Sequence, residues 1–477
     1  MYLSHLYPKP KFIKEDEANR FVFGSKLTAK VNGLSADMAE RAKYLWNRFS
    51  LGACDLLLEE GGDNYTFTAG NAKSCLKGDD TYSIIVTPEG VSVSGHDEKG
   101  LMDGIKTAVQ LICPDNLKIG EESLYISAVE IHDSPAVLFR AIHFCIFPDT
   151  ELYNIEKAIH LAGFLKMTHV ILEFWGTFRY DCLPELSWSD RSHSKEDYKK
   201  LVRLIRSYGM EPIPMSNQLG HATQSRAMYG RHVVLNTNPR LARLFEPDGW
   251  TWCITNPDTK KLLSEIRNEL IDFFGNGRYF HLGFDESYSF ASCDRCRKHI
   301  PHELLAEFLN ESADDLRKKG RRSIVWHDQF IRRSDFGEGP VVASGENKNT
   351  AAAIDLIDKD IIIADWEYWN TKRFNVTTKY FMDKGFDTVV CPWLENENVL
   401  SLDADAKELK AYGILQTTWQ DLPSWLSKAT FAASCAWQEG EEEPYYAVTE
   451  NAAILRNLYD TKGDFISSGW NINEVVQ

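Results

Sequence analysis

The sequence of 477 residues contains no long apolar segment. Nowhere do apolar residues continue for the roughly 18–20 positions that a membrane-spanning helix needs. The first ten residues also lack the apolar core of a secretion signal, and Pro8 and Pro10 interrupt them. The chain has fewer basic than acidic residues, 53 Lys and Arg against 69 Asp and Glu, and its net charge is −16. A negative surface repels nucleic acid and anionic membranes. We therefore expect a cytoplasmic protein that binds neither nucleic acid nor membrane.

The ten cysteines are scattered along the chain, and several of them lie in apolar runs where a buried free thiol is expected. Cys293 and Cys296 form a CxxC motif. A zinc site would need two further ligands at a recognisable spacing, and the sequence has no second CxxC. His281 and His299 lie nearby but do not complete a standard ligand set. We interpret the motif as structural thiols, with metal binding and redox chemistry as alternatives, and we predict no metal and no cofactor.

Aromatic residues, in contrast, are abundant: 13 Trp, 19 Tyr and 25 Phe make up 12% of the chain. Thirteen tryptophans exceed the need of a core alone, so their positions should be informative. Within the first 133 residues, the range 82–94 contains two short β-rich segments around a Pro-Glu-Gly turn. A segment with one apolar helical face follows at 99–112. We predict a small α+β domain over residues 1–133.

From residue 134 to 477 short apolar runs alternate with amphipathic helical patterns. The runs are Val137–Cys145, His169–Phe174, Glu211–Met215, Tyr279–Phe284, Ser323–Asp328, Ile361–Trp366, Thr388–Trp393 and Ile414–Trp419. Eight strand–helix units over this length are typical of a (β/α)8 TIM barrel. A doubly wound open sheet is the alternative, but no glycine-rich phosphate loop follows any of the runs. We predict an α/β protein in which the barrel follows the small α+β domain.

The ends of these runs carry a chemically distinctive set of residues. Active sites of TIM barrels form at the carboxyl ends of the strands. Four consecutive runs carry a tryptophan at or near their ends: Trp326, Trp366, Trp393 and Trp419. Indole rings beside carboxylates are typical of a sugar site, because the C–H faces of a pyranose stack on them. Any one of these rings could instead cap the barrel core, but four at one end of the barrel favour a pocket.

An adjacent carboxylate pair, Asp285-Glu286, follows the fourth run. Neighbouring residues of a strand point to opposite faces, yet both can face the pocket where the chain turns over the barrel mouth. Two close carboxylates repel each other, so the pKa of one of them should rise. A raised pKa suits a general acid that lies beside an ionised partner.

The segment His281-Leu-Gly-Phe-Asp-Glu286 resembles the His-x-Gly-Gly-Asp-Glu signature of glycoside hydrolase family 20, the β-N-acetylhexosaminidases. Further similarities occur in the same order as in that family. They are Arg140 in the first run, the segment Ile213–His221 with its Gly-His turn, Trp419-Gln-Asp421, and the segment Tyr82–Ile112 of the preceding domain. The resemblance covers nearly the whole chain and implies a TIM barrel behind a small α+β domain.

The resemblance implies a retaining exo-β-N-acetylhexosaminidase that releases terminal GlcNAc or GalNAc. The 2-acetamido oxygen of the substrate would attack the anomeric carbon, so that an oxazolinium intermediate forms without an enzyme nucleophile. Glu286 would protonate the leaving oxygen and then activate water. Asp285 would orient the acetamido N–H and stabilise its developing positive charge.

The resemblance also implies substrate-binding roles for other residues. Arg140 would hold ring hydroxyls, His221 would join the polar network beneath the acid, and Asp421 would accept a distal hydroxyl. The aromatic walls would be Trp326, Trp366, Trp393 and Trp419. The expected partner is an N-acetylhexosamine-containing oligosaccharide or glycoconjugate, and a homodimer is compatible with the sequence.

The chain departs from the family signature at several positions. Phe284 replaces its second glycine, and Asn217 replaces an aspartate. The acetamido-binding tyrosine of the family lies near its seventh strand, where this chain has Cys391-Pro-Trp393; Tyr368 is a substitute one strand earlier. These changes leave open a retaining glycosidase of shifted sugar preference or a catalytically silent sugar-binding protein. The intact Asp285-Glu286 pair argues against silence.

Overall fold

The computed structural model describes residues 6–72, 82–112, 123–188, 192–224, 232–337, 339, 341–373, 376–393, 395–419, 422–439 and 458. None of the helices within these ranges is long and apolar enough to cross a membrane. The N-terminal part forms a sheet with two helices. Its elements are β1 (Phe12–Phe23), β2 (Lys26–Asn32), α1 (Ala36–Phe49), β3 (Asp55–Glu60), β4 (Thr66–Gly70), β5 (Tyr82–Thr87), β6 (Gly90–Gly95), α2 (Glu98–Gln110) and β7 (Leu124–Asp133).

The N-terminal sheet has the strand order β1-β7-β5-β6-β4-β2-β3. The β2–β3 pair is parallel, and the other neighbouring pairs are antiparallel. Asp97 caps α2 by accepting a hydrogen bond from the backbone N–H of Gly100 at 2.7 Å. The predicted apolar face of this helix is buried, including Leu101 and Ile105. Both β-rich segments and the helix expected from the sequence are therefore present.

The C-terminal part is a closed barrel of eight parallel strands in sequential order. Its strands are β8 (Phe139–Ile146), β9 (His169–Phe174), β10 (Glu211–Met215), β11 (Tyr279–His281), β12 (Arg322–Trp326), β13 (Ile362–Asp365), β14 (Thr388–Val390) and β15 (Gly413–Gln416). Its α-helices are α3 (Leu152–Phe164), α4 (Lys195–Ser207), α5 (Val233–Thr237), α6 (Pro257–Phe274), α7 (Pro301–Arg317), α8 (Val376–Asp383), α9 (Asn396–Leu409) and α10 (Leu422–Trp437). The predicted fold class is confirmed.

Several strands end earlier than the apolar runs suggested. β11 stops at His281, and β14 stops at Val390, so the residues after them belong to loops over the barrel mouth.

The side chains that point into the barrel explain why polar residues lie near its mouth. Along β8 the side chains of Phe139 and Ala141 join the apolar interior. The alternation of a strand then turns His143 toward the same side, nearer the mouth.

The two parts meet across a buried network of charges, and this network corrects the role expected for Arg140. Arg140 is the second residue of β8, at the amino end of the barrel. Its guanidinium donates to the carbonyl oxygens of Val137 (2.7 Å) and Lys166 (2.7 and 3.0 Å) and lies 3.9 Å from Asp103 of α2. Burial lowers the pKa of Arg140 to about 10. Arg140 therefore joins the two domains at the end of the barrel opposite the strand mouths, where no sugar-binding role is open to it.

Candidate active site

The candidate active site lies at the carboxyl ends of the barrel strands, where Asp285 and Glu286 follow β11. The Nε2 atom of His221 lies 3.2 Å from a carboxylate oxygen of each of them. The side chain of Asp285 is 8% exposed and that of Glu286 is 34% exposed. His221 itself comes from the loop after β10. The structure therefore brings together the three residues that the sequence predicted at the centre of the site.

The backbone around the pair explains how adjacent carboxylates reach the same histidine. Gly283, Phe284 and Glu286 all have positive φ angles, of 73°, 83° and 47°. Such a turn costs a non-glycine residue roughly 1–2 kcal/mol. The Phe284 side chain is fully buried, with its ring centroid 5.9 Å from that of Phe308, and this packing offsets the cost. Phe284 thus occupies the place of the second glycine of the signature and anchors the turn in the core.

The loop that carries His221 passes very close to this turn. A side chain at Gly220 would place its Cβ 2.1 Å from the carbonyl oxygen of Asp285. Only glycine allows the two backbones to approach in this way. The Gly220-His221 dipeptide therefore fixes the distance between the imidazole and the carboxylates.

The electrostatics of the three groups are strongly coupled. Burial disfavours the charged form of His221, but Asp285 and Glu286 outweigh it and raise the pKa of His221 to about 10. Burial raises the pKa of Asp285, despite the attraction of His221. Burial acts in the same upward direction on Glu286, but the hydrogen bond and charge of His221, together with a hydrogen bond of Tyr288, outweigh it and lower the pKa of Glu286. The sequence predicted one raised carboxyl pKa, and it belongs to Asp285, because Asp285 is the more deeply buried carboxylate.

Two further residues hold the backbone of Glu286, and neither was predicted from the sequence as a site residue. Trp250 donates from its indole Nε1 to the carbonyl oxygen of Glu286 at 2.6 Å. The Oδ2 atom of Asp328 accepts the backbone N–H of Glu286 at 3.1 Å. Burial and the charge of Asp285 raise the pKa of Asp328 to about 6. Asp328 ends a predicted run and could have been chosen, whereas Trp250 lies in a long connection with no strand end to mark it.

The floor of the site is a hydrogen-bonded cluster around Glu173 of β9. Its carboxylate accepts from Asn217 at 2.6 Å and from the Cys145 thiol at 3.3 Å, and it lies 2.9 Å from Nε2 of His143. Burial opposes ionisation of Glu173, but the hydrogen bond and charge of His143, together with Asn217, lower its pKa. Asn217, which departs from the family signature, and Cys145 thus both donate to one carboxylate.

The aromatic residues predicted to line the site form one continuous wall. The ring centroids are 5.7 Å apart for Trp326–Trp419, 5.1 Å for Trp366–Tyr368 and 5.2 Å for Tyr368–Trp393. The indole Nε1 of Trp419 donates to the hydroxyl of Tyr368 at 2.7 Å, which joins the two halves of the wall. Trp326 is fully buried, and the other three tryptophans are half-buried. The wall therefore presents ring faces and edges to the mouth while its base belongs to the core.

Two further residues were predicted for the site. Arg140 is at the opposite end of the barrel, as described above, and Asp421 lies outside the described residues.

One carboxylate oxygen at the centre of the site is available to a ligand. The Oδ1 atom of Asp285 is buried and has no hydrogen-bond partner among the described residues. A buried carboxylate oxygen without a donor is costly, so this atom is suited to accept an N–H or O–H group of a substrate.

Three groups of described residues bring metal-ligating atoms together. Two of them line the barrel: the Glu173 cluster, and His327 with Asp365 and Glu367. In both, the histidine Nε2 already faces a carboxylate, at 2.9 Å from Glu173 and at 3.3 Å from Glu367. The third group contains Glu246 and three cysteines and lies outside the barrel interior.

Comparison with known proteins follows the same division of the chain. The family model described as glycosyl hydrolase family 20, catalytic domain, matches residues 171–443. The model described as glycosyl hydrolase family 20, domain 2, matches residues 3–134. The β-hexosaminidase of Porphyromonas gingivalis is 24% identical over 400 residues, which are 75% of this chain and 49% of the relative. The lacto-N-biosidase of Bifidobacterium bifidum is 22% identical and covers 74% of this chain and 29% of the relative.

This chain therefore spans half the length, or less, of these curated relatives. Solved structures match its fold more completely. The β-N-acetylhexosaminidase from Bacteroides fragilis superposes with a TM-score of 0.68 at 19% identity, over 94% of this chain and 95% of that one. The chitobiase of Flavobacterium johnsoniae gives a TM-score of 0.71 at 15% identity, over 96% and 73% of the two chains. At such identities the structural similarity shows the fold.

Proposed function

The chain belongs to glycosyl hydrolase family 20, and from this premise we propose that it is a retaining exo-β-N-acetylhexosaminidase. Its substrates would be oligosaccharides or glycoconjugates that end in GlcNAc or GalNAc. The observation that carries the proposal is the Asp285–His221–Glu286 arrangement, in which one buried oxygen of Asp285 has no donor among the described residues. The cytoplasmic location and the homodimer stay predictions.

Hydrolysis would proceed in two chemical steps. In the first, the acetamido oxygen of the substrate bonds to the anomeric carbon, the bond to the leaving oxygen breaks, and Glu286 gives that oxygen a proton. In the second, water attacks the anomeric carbon and gives a proton to the Glu286 carboxylate, and the bond from that carbon to the acetamido oxygen breaks, which re-forms the acetamido group. The Oδ1 atom of Asp285 would accept the acetamido N–H and stabilise its positive charge in between.

The proton that Glu286 needs would come from His221. The two residues share a site in which the carboxylate is ionised and the imidazole is protonated, with the heteroatoms 3.2 Å apart. A pair of this kind binds one proton over a wide pH range, whether that proton resides on the histidine or on the glutamate. Exclusion of water by a bound sugar would favour the neutral form of Glu286, because burial raises a carboxyl pKa.

The decisive experiment compares the native chain with Glu286→Gln on chromogenic β-GlcNAc and β-GalNAc and on an unactivated disaccharide. Loss of the general acid should lower kcat/KM for the disaccharide by about 10²–10⁴-fold. The effect on the chromogenic substrates should be smaller, because a good leaving group needs less protonation. Glu307→Gln, the same change on the exposed face of α7, is the matched control. Equal activity of Glu286→Gln and native protein on the disaccharide would contradict the assignment.

Two further measurements test the finer parts of the proposal. Proton NMR of the first product should show the β anomer before mutarotation, since the mechanism retains configuration. Asp285→Asn should depress the rate with every N-acetyl substrate, because the amide no longer offers a charged acceptor to the acetamido N–H. If the protein binds N-acetyl sugars but turns over neither chromogenic substrate, the silent sugar-binding alternative replaces the enzyme.

One observation favours a second candidate, a retaining glycosidase of shifted sugar preference. The arginine expected to hold ring hydroxyls lies at the far end of the barrel, and the cluster of His143, Cys145, Glu173 and Asn217 forms the floor instead. A panel of aryl β-glycosides with and without the 2-acetamido group separates the two candidates. Turnover confined to the substrates with an acetamido group supports the hexosaminidase.

A further inference from the structure

Three cysteines and one glutamate converge where two loops of the barrel meet. Glu246 and Cys253 lie in the connection between β10 and α6, and Cys293 and Cys296 lie in the connection between β11 and α7. Their potential ligand atoms all lie within 4.8 Å of one another. The Sγ atom of Cys253 is 3.5 Å from that of Cys293 and 3.6 Å from that of Cys296.

These separations match a metal site better than a disulfide. Thiolates on tetrahedral zinc have Zn–S bonds of about 2.3 Å, which places the sulfur atoms roughly 3.8 Å apart. A disulfide would bring two sulfur atoms to about 2.05 Å. All three cysteines are free thiols, and Cys253 and Cys296 are fully buried. Three soft sulfur ligands favour zinc over the harder divalent cations.

Glu246 offers a fourth potential ligand. The residue is 1% exposed, and its Oε2 atom accepts the backbone N–H groups of Ser292 (3.0 Å) and Cys293 (2.6 Å). Its Oε1 atom is buried and has no N–H or O–H donor in the part of the chain that the structure describes, so the carboxylate has only the weak thiol donor of Cys296 besides the two backbone groups. A buried carboxylate oxygen without a strong donor is costly unless a cation binds it. The two backbone hydrogen bonds hold the carboxylate in place for that purpose.

Hydrogen-bond donors surround the sulfur atoms as they do around metal-bound thiolates. The backbone N–H of Cys296 donates to the Sγ of Cys293 at 3.4 Å, and Nη2 of Arg295 donates to the Sγ of Cys253 at 3.5 Å. The hydroxyl of Thr255 lies 3.1 Å from the Sγ of Cys296. Three thiolates, one carboxylate and a divalent cation carry a net charge of −2, which the guanidinium of Arg295 partly neutralises.

We propose that Glu246, Cys253, Cys293 and Cys296 bind one structural Zn²⁺ ion in a closed tetrahedral site. The expectation of no metal rested on the lack of a second motif, but the missing ligands lie 40 or more residues before the CxxC. The ion would join the loop that carries Trp250 to the loop that carries Glu286. Because Trp250 donates to the Glu286 carbonyl oxygen, the zinc site would also stabilise the position of the acid.

The test begins with metal analysis of the full chain, purified without chelators. We expect about one zinc per chain, retained through dialysis and released when a mercurial reagent titrates the thiols. Replacement of zinc by Co²⁺ should produce thiolate-to-cobalt charge-transfer bands. Cys293→Ser and Glu246→Gln should lose metal or bind it more weakly. Cys182→Ser, at a half-buried cysteine outside the cluster, should keep one zinc per chain.

The result for the native chain decides the proposal even if the variants do not fold. A folded protein that contains no zinc after reduction and incubation with Zn²⁺, and that gives no cobalt charge-transfer band, overturns it. A disulfide between any two of the three cysteines in protein prepared under reducing conditions also overturns it. Since the metal readouts do not depend on turnover, they remain valid if the proposed glycosidase activity is wrong.

Discussion

Replacing His221 with glutamine should make the acid step strongly dependent on pH in a range where the native protein is insensitive to it. Glutamine has a similar reach and can still donate one hydrogen bond, but it carries no charge. In the native site the pKa of His221 is raised from 6.5 to about 10 by the two carboxylates, against the effect of burial. At about 1.4 kcal/mol per pKa unit, the site favours the imidazolium by roughly 5 kcal/mol.

The magnitude follows from counting protons. In the native protein the His221–Glu286 pair keeps one proton until the pH approaches 10, so the basic limb of kcat/KM should appear there. In the variant, the proton must reside on Glu286 alone, and the carboxyl pKa rises because burial is no longer opposed by His221. Above that pKa, the protonated fraction falls about tenfold per pH unit. The ratio of native to variant activity should therefore rise by up to about tenfold per unit through the neutral range.

The assay is kcat/KM from pH 5 to 10 on an unactivated disaccharide, with an aryl glycoside as the substrate that depends less on the acid. His302→Gln, a histidine of α7 away from the site, should reproduce the native profile. A ratio of native to variant activity that does not change with pH would show that Glu286 does not draw its proton from this pair. The same proton stabilises the fold: the contribution is complete below pH 6.5 and is lost as the pH rises through about 10.

Three further predictions test the framework of the site. Arg140→Met should destabilise the protein by about 3–5 kcal/mol, because it removes a cation beside the buried Asp103, which Lys106 also contacts, and the donor to the carbonyl oxygens of Val137 and Lys166, while KM stays unchanged; a raised KM with native thermal stability would contradict its placement. The Phe284→Ala variant should have a free energy of unfolding about 1 kcal/mol lower than that of the Phe284→Gly variant, because φ at position 284 is 83° and glycine adopts this angle without strain. The opposite order in denaturant unfolding would refute the strained turn. Tyr368→Phe removes the acceptor of the Trp419 indole, so KM for N-acetyl substrates should rise with little loss of stability; an unchanged KM would exclude Tyr368 from the sugar wall.

Much of the fold could be predicted because its signals are local. A strand buried in a barrel requires a short apolar run, and each of the eight runs overlaps one strand. The Ser194 side chain caps α4 by accepting the N–H of Asp197 at 3.1 Å, as its sequence pattern indicates. The strand ends were less predictable, because apolar and aromatic residues such as Phe284 and Trp393 continue past the last ladder hydrogen bond.

The site was predictable where it depended on position along a strand. Asp285, Glu286 and the tryptophans follow β-strands, and the carboxyl ends of parallel strands must meet at one mouth of a barrel. Arg140 was misplaced because its run does not reveal where β8 begins. Since it is the second residue of that strand, it lies at the amino end, among the carbonyl groups and charges of the domain interface.

Local sequence patterns were therefore sufficient to predict the barrel, its small companion domain and the mouth at which the carboxylates and indoles collect, because periodicity and strand order are properties of neighbouring residues. The three-dimensional arrangement of the loops set the interactions between them. It placed His221 between two carboxylates, Trp250 on the backbone of the acid, and Glu246 with Cys253 beside a CxxC more than 35 residues away. Such contacts depend on how loops of unrelated sequence pack together, and no local pattern encodes that packing.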